Sequence, residues 1–181
     1  MDEVEFPPDP PSNIPTLVTA FSGWINAGEA ATNALRFLVR QLAAEPLAAK
    51  GGKIVDRLSD LAGMDIVFSI VSTGPDLKEV YFGPNGLITG RNGKLPKIFV
   101  DCSTIAVEDS KDIREELKKL GAEFVAAPIS GNAKVIKAGR LSAVLSGADA
   151  AAKAVTPMME AIAPQGVAYV GEGELARVCK I

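Results

Sequence analysis

Short apolar runs alternate with longer amphipathic segments along most of this chain, and that alternation limits its fold more than any other feature. The apolar runs are rich in β-branched and aromatic residues and have the length of strands. The runs are "TLVTAF" (16–21), "KIVD" (53–56), "DIVFSIVS" (65–72), "KIFVDCS" (97–103), "EFVAAPIS" (123–130), "LSAVLSG" (141–147) and "VAYVG" (167–171). Each of them is predicted to be a β-strand.

The longer segments have the period of amphipathic helices. Helices are predicted over 28–45, 107–121 and 148–163. In the second of them, Ile113, Leu117 and Leu120 fall on one face. Strands that alternate with helices in this way build a mostly parallel sheet with helices on both faces. The predicted fold class is therefore α/β and Rossmann-like.

The length of 181 residues and the hydrophobic content of 48% fit one folded domain. Residues 1–15 contain five prolines and no face that would pack, so we predict a flexible leader there. Residues 16–181 are predicted to form the single domain.

Charge and composition exclude several classes of function. The net charge of −3, with Lys and Arg scattered among acidic residues, offers no basic face for nucleic acid. The sequence has no apolar stretch that would span a membrane, and its acidic, proline-rich start is unlike a signal peptide, so we expect a cytoplasmic protein.

The cysteine and histidine counts restrict the chemistry further. Cys102 and Cys179 lack metal-ligand spacing and are predicted to be buried small apolar residues. The absence of histidine excludes Ser-His triads and most zinc sites, and we predict no metal site. Any catalysis must use lysine, carboxylate, hydroxyl or thiol groups, or a cofactor.

Small hydroxyl residues follow three successive predicted strands. They are Ser72 and Thr73, Ser103 and Thr104, and Ser130 with Gly131 and Asn132. In parallel sheets ligands bind beyond the carboxyl ends of the strands, and small side chains let a phosphate, ribose or nicotinamide approach closely. Turn and cap chemistry explains any one of these positions. Three in succession favour a cofactor cleft.

These motifs carry a resemblance to a known family. "DIVFSIVST", "DLKEVYFGPNGLI", "FVDCSTI", "EFVAAPISGNAKVIKAGRLSAVLSG" and "VAYVGEGELARVCKI" occur in the order and spacing of the nucleotide-binding domain of the β-hydroxyacid dehydrogenases, from about residue 52 to 181. In place of the family's usual residues, the third loop has Ala126 for Asp and Asn132 for Gly.

The resemblance implies a cofactor, NAD or NADP, and a substrate, a small 3-hydroxy acid or semialdehyde. It implies that Val71, Ser72 and Thr73 contact the cofactor and that Ser103 and Thr104 flank the nicotinamide. It also implies that Ser130, Gly131 and Asn132 hold the substrate.

The same resemblance implies a catalytic lysine on the helix after the last strand. Lys180 is the candidate, as the group that polarises the substrate carbonyl and passes it a proton. Arg177 is a competing alignment, and a solvated lysine near the terminus is the alternative interpretation of Lys180.

The stretch "AFSGWINAG" resembles a dinucleotide-binding turn. Gly23 and Gly28 occupy the first and last glycine positions of G-x-G-x-x-G and are candidate cofactor residues. Ile25 stands at the middle position, where a bare backbone normally meets the pyrophosphate. Residues 16–49 also resemble the start of the proteasome assembly chaperone family, through "GWINAGEAA".

The segment around Asp56 and Arg57 can be interpreted in more than one way. Asp56 and Arg57 serve as the ribose-binding pair if "KIVD" is the second strand of the sheet. The dehydrogenase resemblance instead places this segment at the third strand, which implies that one βα unit is missing. The other interpretation of Asp56 and Arg57 is a surface pair at a turn.

Together these features predict the NAD(P)-binding domain of a β-hydroxyacid dehydrogenase, which transfers a hydride between the cofactor and its substrate. Because Ile25 replaces the pyrophosphate glycine, we expect the isolated chain to bind cofactor weakly. We expect it to turn over little, because the helical domain that closes the cleft in the family is not part of this sequence. A non-catalytic interaction protein of the chaperone type, and a chimeric product without selected activity, are the alternatives. Whether the chain forms a homo-oligomer stays open.

Overall fold

A computed structural model of the chain describes residues 19–21, 58–61, 63–89, 94–131 and 133–180. Several predictions lie outside these residues. They concern the leader 1–15, the helix 28–45, the strand 53–56, Gly23, Ile25, Gly28, Asp56, Arg57 and Asn132.

Four parallel strands form the larger sheet, in the order β1-β2-β3-β4. They are β1 (Thr19–Phe21), β2 (Ile66–Ile70), β3 (Ile98–Asp101) and β4 (Glu123–Ala126). Phe21 pairs with Ile70, and Asp101 pairs with both Ser69 and Ala126. The carboxyl ends of all four strands therefore meet at one edge.

Three further strands form a second, smaller sheet in the order β5-β6-β7: β5 (Ile129–Ser130), β6 (Ser142–Leu145) and β7 (Gly166–Tyr169). β6 is antiparallel to β5 and parallel to β7, and an antiparallel bridge from Ala126 to Ser146 joins it to β4. The predicted strand 123–130 is thus two strands, since Pro128 between them has no N–H to donate to a ladder. The mostly parallel α/β fold is confirmed.

Five helices are assigned within the described ranges: α1 (Gly74–Phe82), α2 (Val107–Lys119), α3 (Ala133–Lys137), α4 (Asp149–Ile162) and α5 (Leu175–Cys179). A 3-10 turn spans Leu58–Leu61. α2 and α4 confirm two predicted helices. Leu120 is 45% exposed, so its predicted place on the buried face is wrong: α2 ends at Lys119, and Gly121 turns the chain with a φ of 78°.

Two apolar clusters lie on opposite faces of the sheet, as the alternation of side chains along a strand requires. Val67 and Phe99 belong to the cluster that includes Leu77 of α1 and Leu117 of α2. Phe68, Val100 and Val125 belong to the other cluster, which includes Val155 and Met159 of α4. The helices therefore cover both faces.

Cys102 is buried, as predicted, but the prediction for Cys179 is wrong because the end of α5 exposes it. Within the described ranges, no helix has the length and apolarity needed to cross a bilayer. The cytoplasmic location stays a prediction.

Candidate cofactor and active site at the carboxyl edge of the sheet

The loops after β2, β3 and β4 come together at the carboxyl edge of the sheet. The Val71 N–H donates a hydrogen bond to Ser103 Oγ at 2.8 Å, which ties the first loop to the second. The Ile129 N–H donates to the Cys102 carbonyl at 3.4 Å, which ties the second to the third. The three predicted loops therefore lie next to one another at this edge.

The predicted cofactor residues differ in exposure. Ser72, Thr73 and Thr104 are exposed, whereas Val71 and Ser103 are buried. The Ser103 hydroxyl donates to Asp101 Oδ1 at 2.7 Å and accepts from Val71, so both bonds are internal to the protein. The exposed hydroxyls are the groups that a ligand would meet, and the contact of Ser103 with a cofactor stays a prediction.

Thr73 caps the first turn of α1. Its Oγ1 accepts from the Asp76 N–H at 3.3 Å and donates to Asp76 Oδ2 at 2.7 Å. This is the cap chemistry that the sequence left as an alternative for such residues. Because α1 begins directly after the loop of β2, its N-terminus lies at the carboxyl edge of the sheet.

Lys180 lies at this edge, directly after α5. Its Nζ donates to Thr104 Oγ1 at 2.6 Å and to the Ile129 carbonyl. Ile129 precedes Ser130, so one ammonium joins a predicted cofactor loop to the predicted substrate loop. Burial is the main cause that lowers the pKa of Lys180, and the nearby Arg177 cation adds to it.

Arg177, the competing candidate, is directed elsewhere. Its Nη2 lies 2.6 Å from Asp101 Oδ2, with both side chains at most 1% exposed. Its Nε donates to Ser110 Oγ at 3.1 Å, and its Nη1 donates to the Ser103 carbonyl. The geometry thus offers the Lys180 ammonium, rather than the Arg177 guanidinium, to a ligand at the edge.

Asp101 is the residue that the prediction from sequence missed. It ends β3 in full burial, where Oδ1 also accepts from Ser69 Oγ at 2.8 Å. Ser69 Oγ in turn lies 2.6 Å from the Tyr81 hydroxyl, and burial raises the pKa of that phenol well above its usual value. The sequence did hold a signal for this residue, because Asp101 ends an apolar strand. A charge buried there requires a partner, which could have been sought among the basic residues.

The predicted substrate loop is described at Ser130 and Gly131 but not at Asn132. Ser130 is half-buried and pairs with Ser142 across β5 and β6. A Cβ on Gly131, whose φ is 153°, would lie 2.5 Å from Leu141 Cδ2 and 2.9 Å from Val135 Cγ1. A side chain at this position would have a strained φ and would require the Leu141 and Val135 side chains to move.

The chemistry of the described donors fits the nicotinamide half of a dinucleotide. Exposed hydroxyls at Thr73 and Thr104 offer uncharged hydrogen-bonding groups, and the half-buried Lys180 supplies one cation. The turn predicted to hold the pyrophosphate, with Gly23 and Gly28, lies outside the described residues. Among the described residues, Phe21 at the end of β1 pairs with Ile70 at this edge.

A parallel sheet covered on both faces, with hydroxyl-bearing loops at its carboxyl edge, defines the class of dinucleotide-binding α/β domains. Comparison with known families gives the next step. The chain belongs to the family of the NAD binding domain of 6-phosphogluconate dehydrogenase, whose model matches residues 26–171.

Individual relatives agree with that family. Mouse mitochondrial 3-hydroxyisobutyrate dehydrogenase is 30% identical over 118 residues, which make up 64% of this chain and 34% of the mouse protein. The Mycobacterium tuberculosis 3-hydroxyisobutyrate dehydrogenase structure with L-serine is 25% identical, with a TM-score of 0.62, and the match covers 77% of this chain and 46% of that one. The structure of Psf3 in complex with NADP+ and 2-OPP is 26% identical, with a TM-score of 0.65, over 77% and 49% of the two chains.

The comparisons also correct the prediction for the front of the chain. The family model begins at residue 26, so the dehydrogenase likeness extends well before residue 52. It covers most of the segment that resembles the proteasome assembly chaperones, and that second resemblance gains no support. The chain spans about a third of the length of the mouse relative, 34%.

Proposed function

We propose that residues 16–181 form the NAD(P)-binding domain of a β-hydroxyacid dehydrogenase that acts on a small 3-hydroxy acid or its semialdehyde. The family match and the names of the relatives support this proposal. The observation that carries it is the position of the Lys180 ammonium, which bonds to Thr104 of one loop and to Ile129 of the next.

The proposed reaction needs a hydride carrier and a proton donor. When NAD(P) is bound, its nicotinamide supplies or accepts the hydride. Lys180 Nζ holds the proton that the substrate oxygen receives during reduction, and its lowered pKa makes it a stronger acid than an ordinary lysine. Thr104 and Ile129 orient this ammonium before substrate arrives.

The remaining proposed roles are contacts with the cofactor and with the substrate. Val71, Ser72, Thr73, Ser103 and Thr104 are proposed to surround the nicotinamide half of NAD or NADP. Gly23 and Gly28 are proposed to lie near the pyrophosphate, where Ile25 weakens the approach of the backbone. Ser130, Gly131 and Asn132 are proposed to hold the substrate.

Fluorescence titration of the protein with NADH and NADPH tests the cofactor assignment. Saturable enhancement of the nicotinamide emission is expected, with weak affinity because of Ile25. An Ile25→Gly variant should bind more tightly, since it restores the middle glycine of the turn. Absence of binding at millimolar concentrations of both cofactors, in wild type and variant alike, would overturn the assignment.

A Lys180→Ala variant tests the proton donor. It should bind NADH or NADPH with nearly the affinity of wild type and lose turnover with 3-hydroxyisobutyrate or its semialdehyde. Lys153→Ala is the matched control, because Lys153 is exposed on α4 and pairs with Asp149 one turn away in the same helix. Turnover by Lys180→Ala that equals turnover by Lys153→Ala would contradict the assignment.

A further inference from the structure

α5 carries Lys180 to the site, yet it has only five residues, Leu175–Cys179. A helix this short is not stable by itself, so tertiary contacts must hold it in place. Its buried residues are Ala176 and Arg177, while Leu175, Val178 and Cys179 are exposed. Ala176 offers only a methyl group, and the strongest side-chain anchor of the helix is therefore Arg177.

The contacts of Arg177 fix both its position and its orientation. Three of its nitrogens reach three different partners: Asp101 Oδ2, Ser110 Oγ and the Ser103 carbonyl. These partners belong to β3, to α2 and to the loop between them. A planar guanidinium satisfied in three directions has little freedom to rotate.

Asp101, the partner of Arg177, is itself held rigidly. Ser69 and Ser103 donate to its Oδ1, and Arg177 binds its Oδ2. Within the described ranges, no buried side-chain nitrogen or oxygen lacks a hydrogen-bond partner. A buried polar network that is satisfied throughout has one preferred arrangement, so Asp101 presents its carboxylate to Arg177 at a fixed place.

The segment around α5 has further anchors that act with this pair. Glu174 Oε1 lies 2.5 Å from Arg114 Nε, and the Ala176 N–H donates to Ser146 Oγ at 3.0 Å. These contacts hold the start of the helix. Arg177 holds its middle, one turn before Lys180, whose own N–H closes the last turn on the Ala176 carbonyl at 3.2 Å.

We infer that Arg177, held by Asp101, is the positioning residue that directs the Lys180 ammonium to Thr104 and Ile129. The inference rests on the proposed function of Lys180 as proton donor. Arg177 is buried with its nitrogens on Asp101, Ser110 and Ser103, so we infer that it acts through the placement of α5. The nearby charge also matters: burial is the main cause that lowers the pKa of Lys180, the Arg177 cation lowers it further, and Cys102 raises it.

Competitive acetylation of lysines as a function of pH, followed by peptide mass spectrometry, measures this placement without any need for activity. Only the neutral amine reacts, so the reaction reports the titration midpoint of each lysine. Lys153 is the internal reference, because its hydrogen bond to Asp149 raises its pKa. In wild type, Lys180 should titrate below Lys153.

Arg177→Met should shift the midpoint of Lys180 upward and leave Lys153 unchanged, since Lys180 loses both the nearby cation and its shielded position. Hydrogen exchange at the Lys180 amide should also quicken. Arg177→Lys keeps a cation but lacks the planar guanidinium that binds several partners at once. It should therefore quicken hydrogen exchange at the Lys180 amide, with a smaller shift of the titration midpoint of Lys180. Lys97→Met removes an exposed cation at the start of β3 and should change neither readout.

A folded Arg177→Met protein in which Lys180 titrates and exchanges as in wild type would overturn the inference. If that variant does not fold, the double variant Asp101→Asn with Arg177→Met removes both charges together and is expected to show the same upward shift. An unchanged midpoint in the double variant would overturn it equally. Failure of NADH and NADPH binding in wild type would instead count against the proposed function, because the titration of Lys180 needs no cofactor.

Discussion

Lys180 Nζ lies 2.6 Å from Thr104 Oγ1, and this hydrogen bond joins the residue after α5 to the loop after β3. The two residues are 76 positions apart in the chain. They come together because β3 ends at the carboxyl edge and α5 is held against the same edge. The proposed proton donor and the loop proposed to flank the nicotinamide thus share one hydrogen bond.

Thr104→Val removes this hydrogen bond and leaves the contact of Lys180 with the Ile129 carbonyl. Because hydrogen bonds to charged groups contribute about 1.5–3 kcal/mol, the variant should lower kcat/KM for the proposed reduction by a factor of about 10 to 150. Thr104 is exposed, so urea unfolding should show a loss below about 1 kcal/mol. Thr104→Ser keeps the hydroxyl and should retain most of the activity, and a Val variant with wild-type kcat/KM would contradict the role of this bond.

The lowered pKa of Lys180 predicts a pH dependence of the proposed reduction. A proton donor must be protonated, so the rate should fall as the pH rises through this pKa, earlier than for an ordinary lysine. The pH profile of kcat measures the midpoint, and Arg177→Met should move it upward. A profile that is flat up to the ordinary lysine range would contradict the prediction.

The same shift has a defined effect on stability. Between the lowered folded pKa and the unfolded value near 10.5, the unfolded chain binds more protons at Lys180 than the folded protein. The contribution of Lys180 to the free energy of unfolding therefore rises with pH across that window and is lost as the pH falls through the folded pKa. Comparison of wild type with Lys180→Met by urea unfolding over this range measures it.

The buried pair of Asp101 and Arg177 predicts a large effect on stability. Asp101→Ala leaves the guanidinium buried without its counter-charge, which costs about 3–5 kcal/mol in such pairs. Chemical denaturation should show this loss, whereas Asp65→Ala, which breaks an exposed pair with Lys97, should cost less than about 1 kcal/mol. Similar losses in the two variants would show that Asp101 and Arg177 are not coupled.

The strand and helix pattern could be predicted because it depends on local periodicity. β2, β3, α2 and α4 follow their predicted segments to within a few residues. The division of residues 123–130 into β4 and β5 was missed, although Pro128 marked it. The antiparallel direction of β6 depends on the path of the chain after Ser130, which short-range patterns do not encode.

The site was predictable only in part, for a physical reason. Hydroxyl residues at strand ends are visible in the sequence, and Thr104 and Lys180 do meet in the structure. The pairing of Asp101 with Arg177 spans 76 positions and depends on how α5 docks. The sequence left Lys180 and Arg177 as alternatives because the resemblance can be aligned with either residue at the position of the catalytic lysine, and only their surroundings separate them.

Gly147 follows β6 and lies where that strand meets β4. A substitution at Gly147 therefore tests the junction between the two sheets. Its φ is 148°, and a Cβ there would lie 2.7 Å from the Phe124 carbonyl oxygen, which is backbone and cannot move aside easily. Gly147→Ala should therefore lower the free energy of unfolding by about 2–3 kcal/mol through overpacking and backbone strain. Gly63→Ala is the matched control, since no atom of the described residues, its two chain neighbours aside, lies within 4 Å of a Cβ at Gly63, and it should change stability by less than about 0.5 kcal/mol. Equal stabilities of the two variants in urea would show that β4 and β6 do not approach each other as closely as the structure places them.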